Sequence, residues 1–126
     1  PEDYARVTDW NIVANRLRCT GPLRASSESL THAAVYELGS EYQVVLHVHS
    51  AALWTAYRGV MPTTPAAVEY GTPAMAEAVR ALHQRGAFRR WPVFIMAGHQ
   101  DGVTAFGSSA EACFLVLANL MNGLHA

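Results

Sequence analysis

Nothing narrows the possible folds of this chain more than the run Tyr42-Gln-Val-Val-Leu-His-Val-His49. Rich in β-branched residues, it reads as a buried strand, which has to be paired in a sheet and covered by other elements. Val93-Phe-Ile-Met-Ala97 is a second such run. Gly98-His-Gln-Asp-Gly102 follows it as a turn, and Val103-Thr-Ala-Phe106 reads as the return strand.

Helices fill the intervals. The firmest signal spans Thr72 to Gly86, with Thr72 as N-cap, Pro73 at the first helical position and Gly86 closing the end. Ser26 or Ser27 is expected to cap an earlier helix in which Leu30, Ala33, Ala34 and Leu38 recur at helical spacing up to Gly39. Ser50 opens a short helix ended by Gly59, and Ser108 or Ser109 opens a last one closed by Gly123. Ahead of these, Tyr4–Thr8 and Ile12–Leu17 flank Asp9-Trp10-Asn11, a pattern predicting a β-hairpin that turns at those three residues. Five strands and four helices in this order predict an α/β fold of α+β type. Its mainly antiparallel central sheet is covered by helices on both faces.

Composition restricts the chemistry. With 126 residues, 51% of them hydrophobic and 15% charged, the chain is expected to be one folded domain spanning 1–126. A net charge of -1 offers no basic face for nucleic acid. All nine basic residues are arginine, so Schiff-base chemistry, pyridoxal phosphate attachment and a Walker-type phosphate loop, each needing a lysine amine, are excluded. Cys19 and Cys113 are far apart and form no CxxC, which indicates neither a thiolate zinc cage nor a disulfide framework and suits a reducing cytoplasm. The apolar runs fall well short of the roughly 20 residues that span a bilayer, so no membrane association is expected. Pro1, followed by Glu2 and Asp3, is set aside as an N-terminal proline catalyst.

Three segments place proton-active or metal-binding groups at the ends of predicted apolar elements. His47 and His49, two apart on a strand, project to one face, at a separation that one metal ion can bridge. Glu28 and His32, four apart, share a helix face, with Glu28 in the first turn where the helix dipole favours its charge. His99 occupies the turn after the second apolar strand. Taken singly, each has a bland structural account: a strand-end histidine pair, an i,i+4 partner, an exposed turn histidine.

Taken together and in order, Ser26-Ser27-Glu28 with His32 and Tyr36, the Val-Leu-His47-Val-His49-Ser strand, Val68-Glu-Tyr-Gly-Thr-Pro73, and Ala97-Gly98-His99-Gln-Asp-Gly with Phe106-Gly107 resemble the class II aldolase/adducin family. The resemblance runs from about Val7 to the last helix and implies that family's three-layer architecture. It also implies a divalent metal, usually zinc, on His47, His49 and His99, Glu28 as the acid/base group, and Ser26 and Ser27 against a substrate phosphate. The residues agree with that division: three imidazoles leave a zinc position open, and an uncoordinated carboxylate nearby can move a proton. Relative to the family, the chain is expected to lack the usual N-terminal segment, as a truncated or short member. It also looks shorter between His49 and Tyr70 and offers no secure equivalent of the catalytic tyrosine of the sugar-phosphate aldolases, Tyr70 of the YGTP turn being a poor substitute. Asp101 beside His99 is left as a partner of the site, a turn cap or an exposed residue.

The expected function is a zinc-dependent aldolase-type lyase acting on a small hydroxy-carbonyl, sugar-phosphate-like substrate. The metal would stabilise an enediolate while Glu28 exchanges the proton. The same site would serve an epimerase or dehydratase with different proton routing, and the competing class is an adducin-like assembly domain without catalysis. A homotetramer is implied by the resemblance, with Trp54, Tyr57 and Leu120 as residues that self-association would cover.

Overall fold

A computed structural model describes residues 2–125, so Pro1 lies outside the described residues. Two strands open the chain, β1 (Arg6–Asn11) and β2 (Arg16–Thr20), paired antiparallel with a bulge between Val7 and Asp9. The hairpin is as expected but its turn is not at Asp9-Trp10-Asn11: Asp9 pairs with Arg18 and Trp10 with Leu17 inside the ladder. The chain reverses over residues 12–15 instead. Asn11 Oδ1 accepts the Ala14 amide at 2.9 Å, and Asn15 takes φ 51°, a left-handed conformation that asparagine tolerates well. Burial overrides local turn preference here, because Ile12, 5% exposed, packs with Leu30, Ala33 and Ala34.

The next helix, α1 (Ser29–Tyr36), begins later and ends earlier than its periodicity predicts. Neither serine side chain caps it as expected. Glu28 stands at the N-cap position without a side-chain capping bond, while Ser26 accepts the Glu28 amide through Oγ at 3.1 Å in the turn before the helix. Glu28 therefore sits one step outside the first helical turn, and its carboxyl is free to point elsewhere. The later helices follow their capping residues. Ser50 caps α2 (Ala51–Tyr57), Thr72 caps α3 (Pro73–Gln84) and Ser109 caps α4 (Ala110–Gly123), each accepting the amide three residues on. Gly86 ends α3 at φ +75°, the left-handed stop that a glycine makes without strain.

The central sheet contains β3 (Val44–His49), β4 (Thr63–Thr64), β5 (Val93–Met96) and β6 (Gly102–Gly107), in the order β3-β6-β5-β4. It is antiparallel except for β4, a two-residue strand parallel to β5 that the sequence reading missed. Alternation along each strand divides the core. Val45, Phe94, Met96 and Phe106 face α1 and α3, joining Val35, Met75 and Val79. Val93, Ile95, Val103 and Ala105 face α2 and α4, joining Leu53, Cys113 and Leu120. Helices thus cover both faces in three layers, and the hairpin packs on α1. Leu120 is 2% exposed and Tyr57 donates its hydroxyl to the Leu120 carbonyl at 2.7 Å. Trp54 donates its indole N–H to the Met96 carbonyl at 2.9 Å. Leu120 is thus buried within the chain, while Trp54 and Tyr57 are half-buried against the same core. No helix among the described residues is long and apolar enough to cross a membrane.

Candidate metal centre

The same alternation that buries Val45 against α1 and α3 carries His47 and His49 to that face of β3, at the end of the strand. His99 arrives from the tight turn joining β5 to β6, in which its amide bonds the Met96 carbonyl and its carbonyl accepts the Gly102 amide. Because β3 and β6 pair with His49 opposite Gly102, the strand end and the turn meet. One ligand nitrogen from each of His47, His49 and His99 lies within 4.8 Å of the others, and the Nε2 atoms of His47 and His49 are 3.2 Å apart. Two nitrogens bound tetrahedrally to one zinc ion at 2.0–2.1 Å stand about 3.3 Å apart, so the donor set and its spacing fit a divalent cation.

Protonation suits the same role. Burial, reinforced by the neighbouring His99, His49 and His32, lowers the His47 pKa to about 4. Burial also lowers His99, with Glu28 opposing the shift and His49 adding to it, and burial lowers His32. Neutral imidazoles offer lone pairs, as metal ligands must. Thr104 stands opposite His47 in the β3–β6 register and meets its ring. Its hydroxyl donates to Met96 Sδ at 3.6 Å, and its oxygen lies 3.2 Å from His47 Nδ1. An ion bound at Nε2 of His47 would leave Nδ1–H to donate to Thr104 Oγ1. Gly102 makes room: a Cβ there would come within 3.2 Å of His99 Cγ and 3.4 Å of His47 Cε1.

Glu28 completes the cluster. It is 3% exposed, both carboxylate oxygens lack a hydrogen-bond partner, and Oε1 lies 3.4 Å from His99 Nδ1, itself buried and unpartnered. The carboxyl thus lies beside His99 without a hydrogen bond to it, while the His32 amide bonds the Glu28 backbone carbonyl at 3.0 Å. Buried polar atoms without partners are costly and concentrate where a substrate, proton or ion supplies the missing bond. Ser26 and Ser27 are not in this cluster. They line an adjoining cavity of about 360 Å³ with Asn15, Arg24, Tyr70 and Gly71. Tyr70 links the two, because its ring also stacks on His99 with centroids 4.3 Å apart. Asp101 serves through its backbone: it holds φ 66° in the turn, and its carbonyl accepts the Ser50 amide at 2.8 Å.

Thr104, Gly102 and the stacking of Tyr70 were not read from the sequence. The first two stand out only once the β3–β6 register is known. A sequence model described as the class II aldolase and adducin N-terminal domain matches residues 1–125. No protein of curated function matches the chain at a significant level.

Proposed function

The chain belongs to the class II aldolase and adducin family, and we propose that within it this protein is a metal-dependent lyase of the aldolase type, acting on a small hydroxy-carbonyl substrate. The observation that carries the reading is the convergence of His47, His49 and His99 beside a buried, unpartnered Glu28. His47, His49 and His99 would hold the cation. When bound, a divalent ion such as zinc acts as a Lewis acid that polarises the substrate's oxygens and stabilises negative charge developing on them.

The chain's own residues handle binding and proton movement. Glu28, with no hydrogen bond to break, takes the proton of the substrate hydroxyl as the carbon–carbon bond cleaves. The electron pair of that bond passes to the carbonyl-bearing fragment as an enediolate, and the proton returns from Glu28 to its carbon. Ser26 and Ser27, with Arg24 beside them, would receive an anionic end of the substrate such as a phosphate. We extend the reading to a homo-oligomer, a tetramer by family resemblance. It is supported by Phe114, Leu115 and Met121, exposed on α4 at 64%, 53% and 41%. Cleavage of a panel of hydroxy-carbonyl sugar phosphates tests the activity. Turnover should vanish on chelation and return with zinc, whereas turnover indifferent to chelation would contradict the reading.

A further inference from the structure

His47 and His49 are fixed by a sheet strand, but His99 comes from a turn, and something must hold its ring in the plane it needs to share an ion with the other two. The Glu28 contact at 3.4 Å leaves His99 Nδ1 without a hydrogen bond. We propose that Tyr70 is a positioning residue for the metal centre, its ring stacked on the His99 imidazole at 4.3 Å and 29° to hold that side chain in its ligating orientation. The inference rests on the metal-centre reading above.

Tyr70 is well placed because both flanks of its loop are pressed onto backbone next to the site. A Cβ at Gly98, the residue before His99, would overlap the Val68 carbonyl. Gly71 holds φ +65°, and a Cβ there would stand 2.7 Å from the Ser27 carbonyl oxygen. Thr72 ties the loop further, donating its hydroxyl to the Glu69 carbonyl at 2.7 Å while capping α3. The Tyr70 side chain itself remains 49% exposed and joins none of the core clusters, so packing the interior does not explain it. Its ring meets His99 and borders the cavity of Ser26 and Ser27. An aromatic contact of this kind contributes about 0.5–1.5 kcal/mol, which corresponds to roughly a 2- to 10-fold change in affinity for the ion.

The test compares the parent with Tyr70→Phe, Tyr70→Leu and Tyr70→Ala. Zinc affinity is read by competition with a chelator, and the cobalt-substituted proteins are read by their visible absorption spectra. Thermal unfolding of the metal-free proteins checks that each variant is folded, and the leucine variant keeps side-chain bulk should the alanine variant be unstable. The expected result is parent-like affinity and cobalt spectrum for Tyr70→Phe, with affinity lower by about 2- to 10-fold and an altered spectrum for Tyr70→Leu and Tyr70→Ala. Leucine and alanine variants matching the parent in both readouts would overturn the positioning role alone. Equal weakening in all three variants would overturn it too, since the hydroxyl rather than the stack would then be responsible. A parent that takes up no ion would overturn the metal-centre reading, and this role with it.

Discussion

Glu28 Oε1 and His99 Nδ1 lie 3.4 Å apart, both buried and neither hydrogen-bonded, although 71 positions separate the two residues in the chain. The carboxyl comes from the N-cap position of α1 and the imidazole from the β5–β6 turn. A buried carboxyl with two free oxygens next to a cluster of imidazoles has the makings of a proton acceptor beside a cation site.

Glu28→Gln should keep the fold and the metal while lowering turnover by about 10²- to 10⁴-fold, because an amide of the same shape cannot exchange a proton near neutral pH. Metal content by elemental analysis and steady-state rates on the same preparation check this. A glutamine variant as active as the parent would remove Glu28 from the mechanism.

Thr104→Val deletes the hydroxyl 3.2 Å from His47 Nδ1 without changing side-chain shape much, leaving that nitrogen unpartnered and the imidazole free to turn. Zinc affinity should fall by about 10- to 100-fold, as it does when outer partners of metal-binding histidines are lost. Thr104→Ser, which retains the hydroxyl, should stay near the parent. Chelator competition measures both.

Much of the frame around these residues was legible in the sequence. The Thr72–Pro73 start and Gly86 stop of α3 describe backbone chemistry that needs no tertiary partner, and α3 forms where they place it. The period of two that puts His47 and His49 on one face is likewise local. What escaped the reading depends on long-range pairing. The hairpin turn moved to residues 12–15 because Ile12 is buried against α1. Thr63–Thr64 forms a strand only because β5 lies beside it. Thr104 stands behind His47 through a register set across the sheet, and Glu28 looks toward His99 rather than along its own helix toward His32.

The metal-free protein should lose stability as pH falls below about 6.5, the ordinary histidine pKa. His32, His47 and His99 all have folded pKa values below that value, so between it and the folded values the unfolded chain binds more protons and acid favours unfolding. For His47 the loss continues down to about pH 4. Thermal unfolding midpoints of chelated protein should decrease steadily from pH 7.5 to 5, and a flat profile would contradict the burial of these imidazoles.

Self-association predicts a solution mass several times that of the 13.7 kDa chain. Light scattering at micromolar concentration reads this directly, and Phe114→Asp or Leu115→Asp on the exposed side of α4 should shift the mass downward without unfolding the protein. A monodisperse species near 13.7 kDa for the parent would reject the oligomer.

The most direct measurement is zinc stoichiometry and affinity for the purified protein alongside His47→Ala, His49→Ala and His99→Ala. The account predicts one zinc per chain in the parent, with binding weakened by orders of magnitude in each variant, His99→Ala included, because the three nitrogens converge within 4.8 Å on one site. A parent that binds no stoichiometric metal, or a His99→Ala variant that holds zinc as tightly as the parent, would contradict it.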